Sequence, residues 1–158
     1  MNKEFTHIDS EGNAFMVDVS EKDITERKAV AEGSITLCRE AYEKVLSGQM
    51  KKGDVLTVAQ VAGIMGTKRT SDLIPMCHNI NLTNAKVTFS FDDASCRITA
   101  VCTVKCGGKT GVEMEALTGV SVALLTIYDM CKAIDKRIIM SDIHLCEKSG
   151  GKSGEFVF

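Results

Sequence analysis

The chain has 158 residues, 44% of them hydrophobic and 25% charged, which fits one globular domain and excludes a disordered chain. With 19 basic and 21 acidic side chains the net charge is −2, so no global field draws it to nucleic acid or a membrane, and any anion site must come from a local cluster. No apolar run reads as long enough to span a bilayer, the N-terminal MNKEFTHIDSEGNAF lacks a signal peptide's apolar stretch, and seven cysteines are an odd number, together predicting free thiols in a reducing cytoplasm.

Residues 1–15 are polar and aperiodic and read as a mobile arm ahead of a single domain over 16–158. A strand is predicted over 26–37, then a short helix, REAYEKVLSG, with Gly48 as its C-cap. A second helix starts behind Asp54 as N-cap, with Val55, Val58, Ala59, Ala62 and Met65 on one face. In KVTFSF and CRITAVCTV, apolar residues alternate with polar ones on either side of DDAS, which predicts a β-hairpin. Residues 113–134 read as a long helix, apolar around most of its circumference and so buried on more than one side. A last strand, RIIMSDIHLCE, precedes a glycine-rich tail. The order β-α-α-β-β-α-β, less one of the first two helices, is βαββαβ. The fold class is therefore α+β: a ferredoxin-like antiparallel sheet with helices on one face, plus an added helix. The other face, with Thr88, Thr99 and Val101, is only partly polar, which hints at a subunit contact.

The single proline, Pro75, stops a helix and places Met76, Cys77 and His78 on an irregular connector, where binding groups often lie. The competing reading is a helix stop followed by a satisfied histidine. Cys102-x3-Cys106 and His144-x-Cys146 lack the spacing of a strong zinc motif, so zinc is not expected. GGKTG (107–111) and GGKSG (150–154) each offer backbone N–H groups, a lysine and a hydroxyl, suited to phosphate, although neither is a Walker motif and each can be an ordinary turn. Glu113, Glu115, Asp129 and Lys132 are charges on an apolar helix. Asp129 and Lys132 are neighbours, and burial there would shift their pKa values. Glu115 and Asp129 share a face but are about 21 Å apart along the axis, so a site using both needs a long ligand or two subunits. Lys51, Lys52, Lys68 and Arg69 cluster positive charge near the second helix, as a clamp or as plain surface.

The blocks MVDVS (16–20), KGDV (52–55), AGIMGTKRTSDLIPMCH (62–78), KTGVEMEALTGVSVALLTIYDMCKA (109–133) and KSGGKSGEF (148–156) together resemble the MoaC family of molybdenum cofactor biosynthesis. The resemblance implies a lyase that turns (8S)-3′,8-cyclo-7,8-dihydroguanosine 5′-triphosphate into cyclic pyranopterin monophosphate and pyrophosphate. It implies no metal or organic cofactor, and a homohexamer, a trimer of dimers, with the active site at the dimer interface. Residue by residue, it implies catalytic roles for Asp129, Lys132 and Lys52. Substrate contacts would come from Met76, Cys77, His78, Glu113, Met114, Glu115, Lys68 and Arg27. Where relatives often have leucine this chain has Met76, a volume-conserving change. The alternative is a non-catalytic nucleotide- or pterin-binding subunit on the same fold.

Overall fold

The computed structural model describes residues 6–48 and 53–158. The predicted Lys51–Lys52 cluster, Lys52 included, lies outside the described residues. In chain order the elements are β1 (Thr25–Thr36), α1 (Arg39–Leu46), α2 (Val55–Thr67), α3 (Thr70–Leu73), β2 (Leu82–Asp92), β3 (Arg97–Gly108), α4 (Glu113–Cys131), β4 (Ile139–Ser149) and β5 (Phe156–Val157). The sheet order is β2-β3-β1-β4-β5, and every neighbouring pair is antiparallel. Without the two-residue β5 and the one-turn α3, both too short to signal themselves in sequence, this is the ferredoxin-like arrangement with an added helix.

Local chemistry sets the boundaries. The Asp54 carboxylate accepts from the backbone N–H groups of Leu56 and Thr57 and so caps α2. Gly48, with φ of +67°, follows the last turn of α1 in the left-handed conformation that glycine adopts without a Cβ penalty. Pro75 acts as expected: Ile74 before it is extended, at φ −111° and ψ 108°, and the Cys77 N–H donates to the Ile74 carbonyl (3.1 Å) across a tight turn.

The core lies between the sheet and α4. From β1 it takes Ala29, Ala31 and Ile35, from β3 Ile98, Ala100, Cys102 and Val104, and from α4 Ala116, Val120, Ala123, Leu124 and Ile127. By length and composition α4 meets the test for a membrane span, correcting the reading that no apolar run does. Nine of its residues are nevertheless buried against this protein's own elements, as a core helix requires.

Helix α2 does not bury the predicted face. Val55 and Ala59 are buried, but Val58 and Met65 are exposed, and the contact with α4 is carried by Gly63, Gly66 and Thr67. A Cβ on Gly63 would sit 2.9 Å from the Gly119 carbonyl oxygen, and one on Gly119 would sit 2.8 Å from Thr67 Cγ2. Apolar periodicity misses a surface of this kind, because small residues let the backbones approach. Gly63→Ala should therefore lower the stability measured by urea unfolding: overpacking costs about 1–3 kcal/mol, against a gain in helix propensity of about 0.5–1 kcal/mol. An unchanged or raised midpoint would mean that α2 and α4 are free to move apart.

Candidate active site

Three depressions share walls at the end of the sheet where β1 begins and β3 and β4 finish. A cavity of about 280 Å³ is lined by Met76, Cys77, His78, Glu113, Met114 and Glu115, with Val17, Val19 and Lys22 closing one side and Thr6 and His7 of the N-terminal arm reaching it. It runs into a basic pocket of about 220 Å³ through the shared Lys22, Thr110, Gly111 and Glu113. A third, of about 360 Å³, continues past Arg27 to Gly151, Lys152 and Ser153.

The connector after Pro75 forms one wall of the cavity. The His78 imidazole is 2.8 Å from the Val17 carbonyl through Nε2. A carbonyl only accepts, so Nε2 carries the hydrogen and, in the neutral ring, Nδ1 is left with a lone pair for a ligand. The first turn of α4 forms the opposite wall. Glu115 is 3% exposed there, and burial pushes its carboxyl up to about 7, with a smaller push from Glu113. A carboxyl that gains and loses a proton near neutrality suits acid-base chemistry. Burial first, then the Glu115 charge, push the Cys77 thiol up, so the thiol stays protonated.

The basic pocket joins the two glycine-lysine loops. Lys109 and Thr110 come from the first and Gly150 and Ser153 from the second, with Lys22, Lys28 and Lys148 around them. Arg27 is only 8% exposed, and its Nε and Nη2 hydrogens go to the carbonyls of Gly108 (2.9 Å) and Lys109 (3.1 Å). Among the described residues no carboxylate forms an ion pair with it. A buried guanidinium with its hydrogen bonds partly satisfied and its charge unneutralised favours an anion beside it. A Cβ on Gly151, where φ is +75°, would fall 2.1 Å from Arg27 Nη1, so only glycine lets this loop lie against the guanidinium. Thr25 Oγ1 is buried without a hydrogen-bond partner among the described residues, and Thr25 lines the adjoining depression. Lys148 balances Glu113 at 3.1 Å and also reaches Ser153 Oγ at 3.2 Å.

The structure thus gathers Arg27, Met76, Cys77, His78, Glu113, Met114 and Glu115. It does not gather the rest. Lys68 is the exposed C-cap of α2 and lines none of these depressions. Asp129 and Lys132 lie at the far end of α4, paired at 2.6 Å with about half of each side chain in solvent. The pair is therefore not desolvated in one protomer, against the expectation drawn from the helix's apolar composition. The hydrogen bond to Asp129 holds the Lys132 ammonium above its ordinary value, where burial would have lowered it. Lys22 and Lys148 were not singled out in sequence. Lys148 opens the block KSGGKSGEF beside the second glycine loop, whereas nothing near Lys22 in the chain signals its place.

Fold and site define a small α+β enzyme with a buried, titrating carboxyl beside a cationic pocket for an anionic ligand. A family model described as the MoaC family matches residues 16–151. The chain is 58% identical to cyclic pyranopterin monophosphate synthase of Clostridium acetobutylicum over 156 residues, 99% of this chain and 97% of that protein. The protein of that name from Clostridium perfringens strain 13 is 57% identical over the whole of both chains, and that from Thermoanaerobacter sp. is 58% identical over 94% of each. The chain belongs to the MoaC family.

Proposed function

We infer that this protein is a lyase of molybdenum cofactor biosynthesis. It converts (8S)-3′,8-cyclo-7,8-dihydroguanosine 5′-triphosphate into cyclic pyranopterin monophosphate and releases pyrophosphate. The observation that carries this reading is the continuity of the cavity holding Glu115 and His78 with the pocket holding Arg27. A nucleotide-derived substrate has those two ends, a ring system whose protons must move and a polyphosphate tail.

In this reading the tail lies against Arg27, Lys109, Lys148 and the N–H groups of the two glycine loops. The ring system lies between the Met76–His78 connector and the Glu113–Glu115 turn. Closing the cyclic phosphate forms a bond from a sugar oxygen to the α-phosphorus and breaks the bond to the departing pyrophosphate. The sugar hydroxyl proton must pass to a base, and the cationic pocket offsets the charge growing on the leaving group. Rebuilding the purine-derived ring needs further proton transfers, for which Glu115, His78, Lys52 and the Asp129–Lys132 pair are the proposed groups. Met114 lines the ring end. Lys68, exposed in one protomer, would reach substrate only as part of an assembled site.

The Asp129–Lys132 pair is about 21 Å along α4 from Glu115, so its proposed role requires a second copy of the chain. We take the working form to be a homohexamer, a trimer of dimers, in which the pair of one protomer faces the cavity of its neighbour. Entering that interface would desolvate Lys132 and lower its pKa, as proton transfer asks. In support, Val58, Val61, Met65 and Leu125 stay between 44% and 57% exposed on α2 and α4, an apolar area large for a lone protomer. Residues 1–15 would act as a mobile arm, of which Thr6 and His7 line the cavity. The single domain is 16–158, and the expected compartment is the cytoplasm.

Turnover of the cyclised GTP derivative tests the function directly. Pyrophosphate and cyclic pterin should appear together, without added metal and unaffected by chelator. Tight binding with no product would instead establish a binding subunit.

A further inference from the structure

On the sheet face turned away from α4, three side chains converge. A carboxylate oxygen of Glu32, a ring nitrogen of His144 and Sγ of Cys146 all lie within 4.8 Å of one another. None of the three lines the cavity or the basic pockets.

Irregular pairing of β1 with β4 brings them together. Glu32 is opposite His144, Ala31 opposite Leu145 and Val30 opposite Glu147, so Cys146 is the extra residue of a β-bulge. A second irregularity falls between Glu32 and Ser34, where Asp142 takes a φ of +56°. Bulges re-aim side chains, and here two of them bracket one cluster.

The Asp142 carbonyl is 2.6 Å from His144 Nδ1, so Nδ1 carries the hydrogen. The neutral ring then presents the Nε2 lone pair to Glu32, whose Oε1 is 3.8 Å away. An imidazole held by a backbone carbonyl through its other nitrogen is in the orientation that metal-bound histidines adopt. The Cys146 thiol is half-buried beside them. A carboxylate, an imidazole nitrogen and a thiol therefore face one another within the reach of one ion, and a cation would engage all three. The Phe158 ring lies 4.4 Å from the His144 ring, centroid to centroid, and the Phe158 N–H donates to the Cys146 carbonyl (2.9 Å), so the C-terminal residue covers one side.

We propose that Glu32, His144 and Cys146 form a zinc site, with water as the fourth ligand. Thiolate and imidazole select a borderline-soft divalent ion over magnesium or calcium. On binding, the zinc–sulfur bond forms, the thiol proton leaves to solvent, and nothing is oxidised or reduced. The ion would tie β1 to β4 where their ladder is irregular, away from the reaction pocket, which is compatible with turnover that a chelator does not affect. The sequence concealed the site because Glu32 comes from a different strand than the His-x-Cys pair.

The test is a cobalt(II) titration of the full-length, reduced protein. A thiolate-to-cobalt absorption band should grow to one equivalent per chain and vanish when zinc is added. Cys146→Ser should abolish the band, while Cys77→Ser, which removes the thiol beside His78, should leave it. Glu32→Gln keeps the thiol and should weaken cobalt binding tenfold or more with unchanged far-ultraviolet circular dichroism, which separates ligand loss from misfolding. A band that survives in Cys146→Ser, or is lost in Cys77→Ser, would overturn the proposal. So would the absence of any band.

Discussion

Glu115→Gln is expected to lower kcat by about 10²–10⁴-fold with little change in KM, the loss typical of a removed acid-base group. The amide keeps the shape of the carboxyl and cannot exchange its proton. Wild-type activity should show a limb near pH 7, because burial holds the Glu115 carboxyl at about 7, and the variant should lack that limb. Stability supplies a second readout. The folded protein holds the Glu115 proton more tightly than the unfolded chain, whose carboxyl titrates at about 4.5. Between those values the native state binds more protons, so the contribution of Glu115 to stability is fully present below about 4.5 and is lost as pH rises through about 7. At about 1.4 kcal/mol per pH unit the full loss is at most about 3.5 kcal/mol. Urea unfolding at pH 5 and pH 8 should show this decline in the wild type, and Glu115→Gln should remove that part of it. Equal pH dependence in both proteins would mean that the carboxyl is hydrated in the native state, and near-normal turnover would remove it from the mechanism.

The sheet was legible in the sequence because its signal is local. Alternation in KVTFSF and CRITAVCTV marks which side chains face the helices, α2 behind β2 and α4 behind β3, and Val87, Cys96, Ile98, Ala100, Cys102 and Val104 are buried accordingly, although Phe91 is exposed. The helix stop at Pro75 was equally plain, since proline acts on its immediate neighbours. Features that depend on partners remote in sequence were not. Gly63 and Gly66 carry the α2–α4 contact, yet glycine contributes nothing to an apolar pattern. Glu115 reads in sequence as one of four charges on an apolar helix, and only the packed fold makes it the buried one among them. The Asp129–Lys132 pair was misjudged in the opposite direction. An apolar helix suggests burial, but Asp129 lies in its last turn and Lys132 at its C-cap, where one protomer leaves about half of each side chain in solvent. The two glycine-lysine loops could each have been ordinary turns, and their meeting around Arg27 is a property of the sheet ends rather than of either loop.

Lys132→Ala should abolish turnover and leave the oligomer intact, but that result alone would not say whose cavity the lysine serves. Mixing two inactive variants would. His78→Ala damages the cavity end of a site and Asp129→Asn the far end of α4, so each homo-oligomer should be inactive. If every site joins the cavity of one protomer to the Asp129–Lys132 pair of another, a dimer containing both variants has one site with both lesions and one with neither. Random pairing at equal amounts makes half the dimers mixed, so co-expression should restore about a quarter of wild-type activity. If each site were built within a single chain, every site would keep one lesion and nothing would return. The two arrangements thus differ between about a quarter of full activity and none. If Glu115 and Asp129 both act on one substrate, a helix of 19 residues, about 28 Å long, holds them too far apart to meet on a small one, so the site would need a long ligand or a second chain.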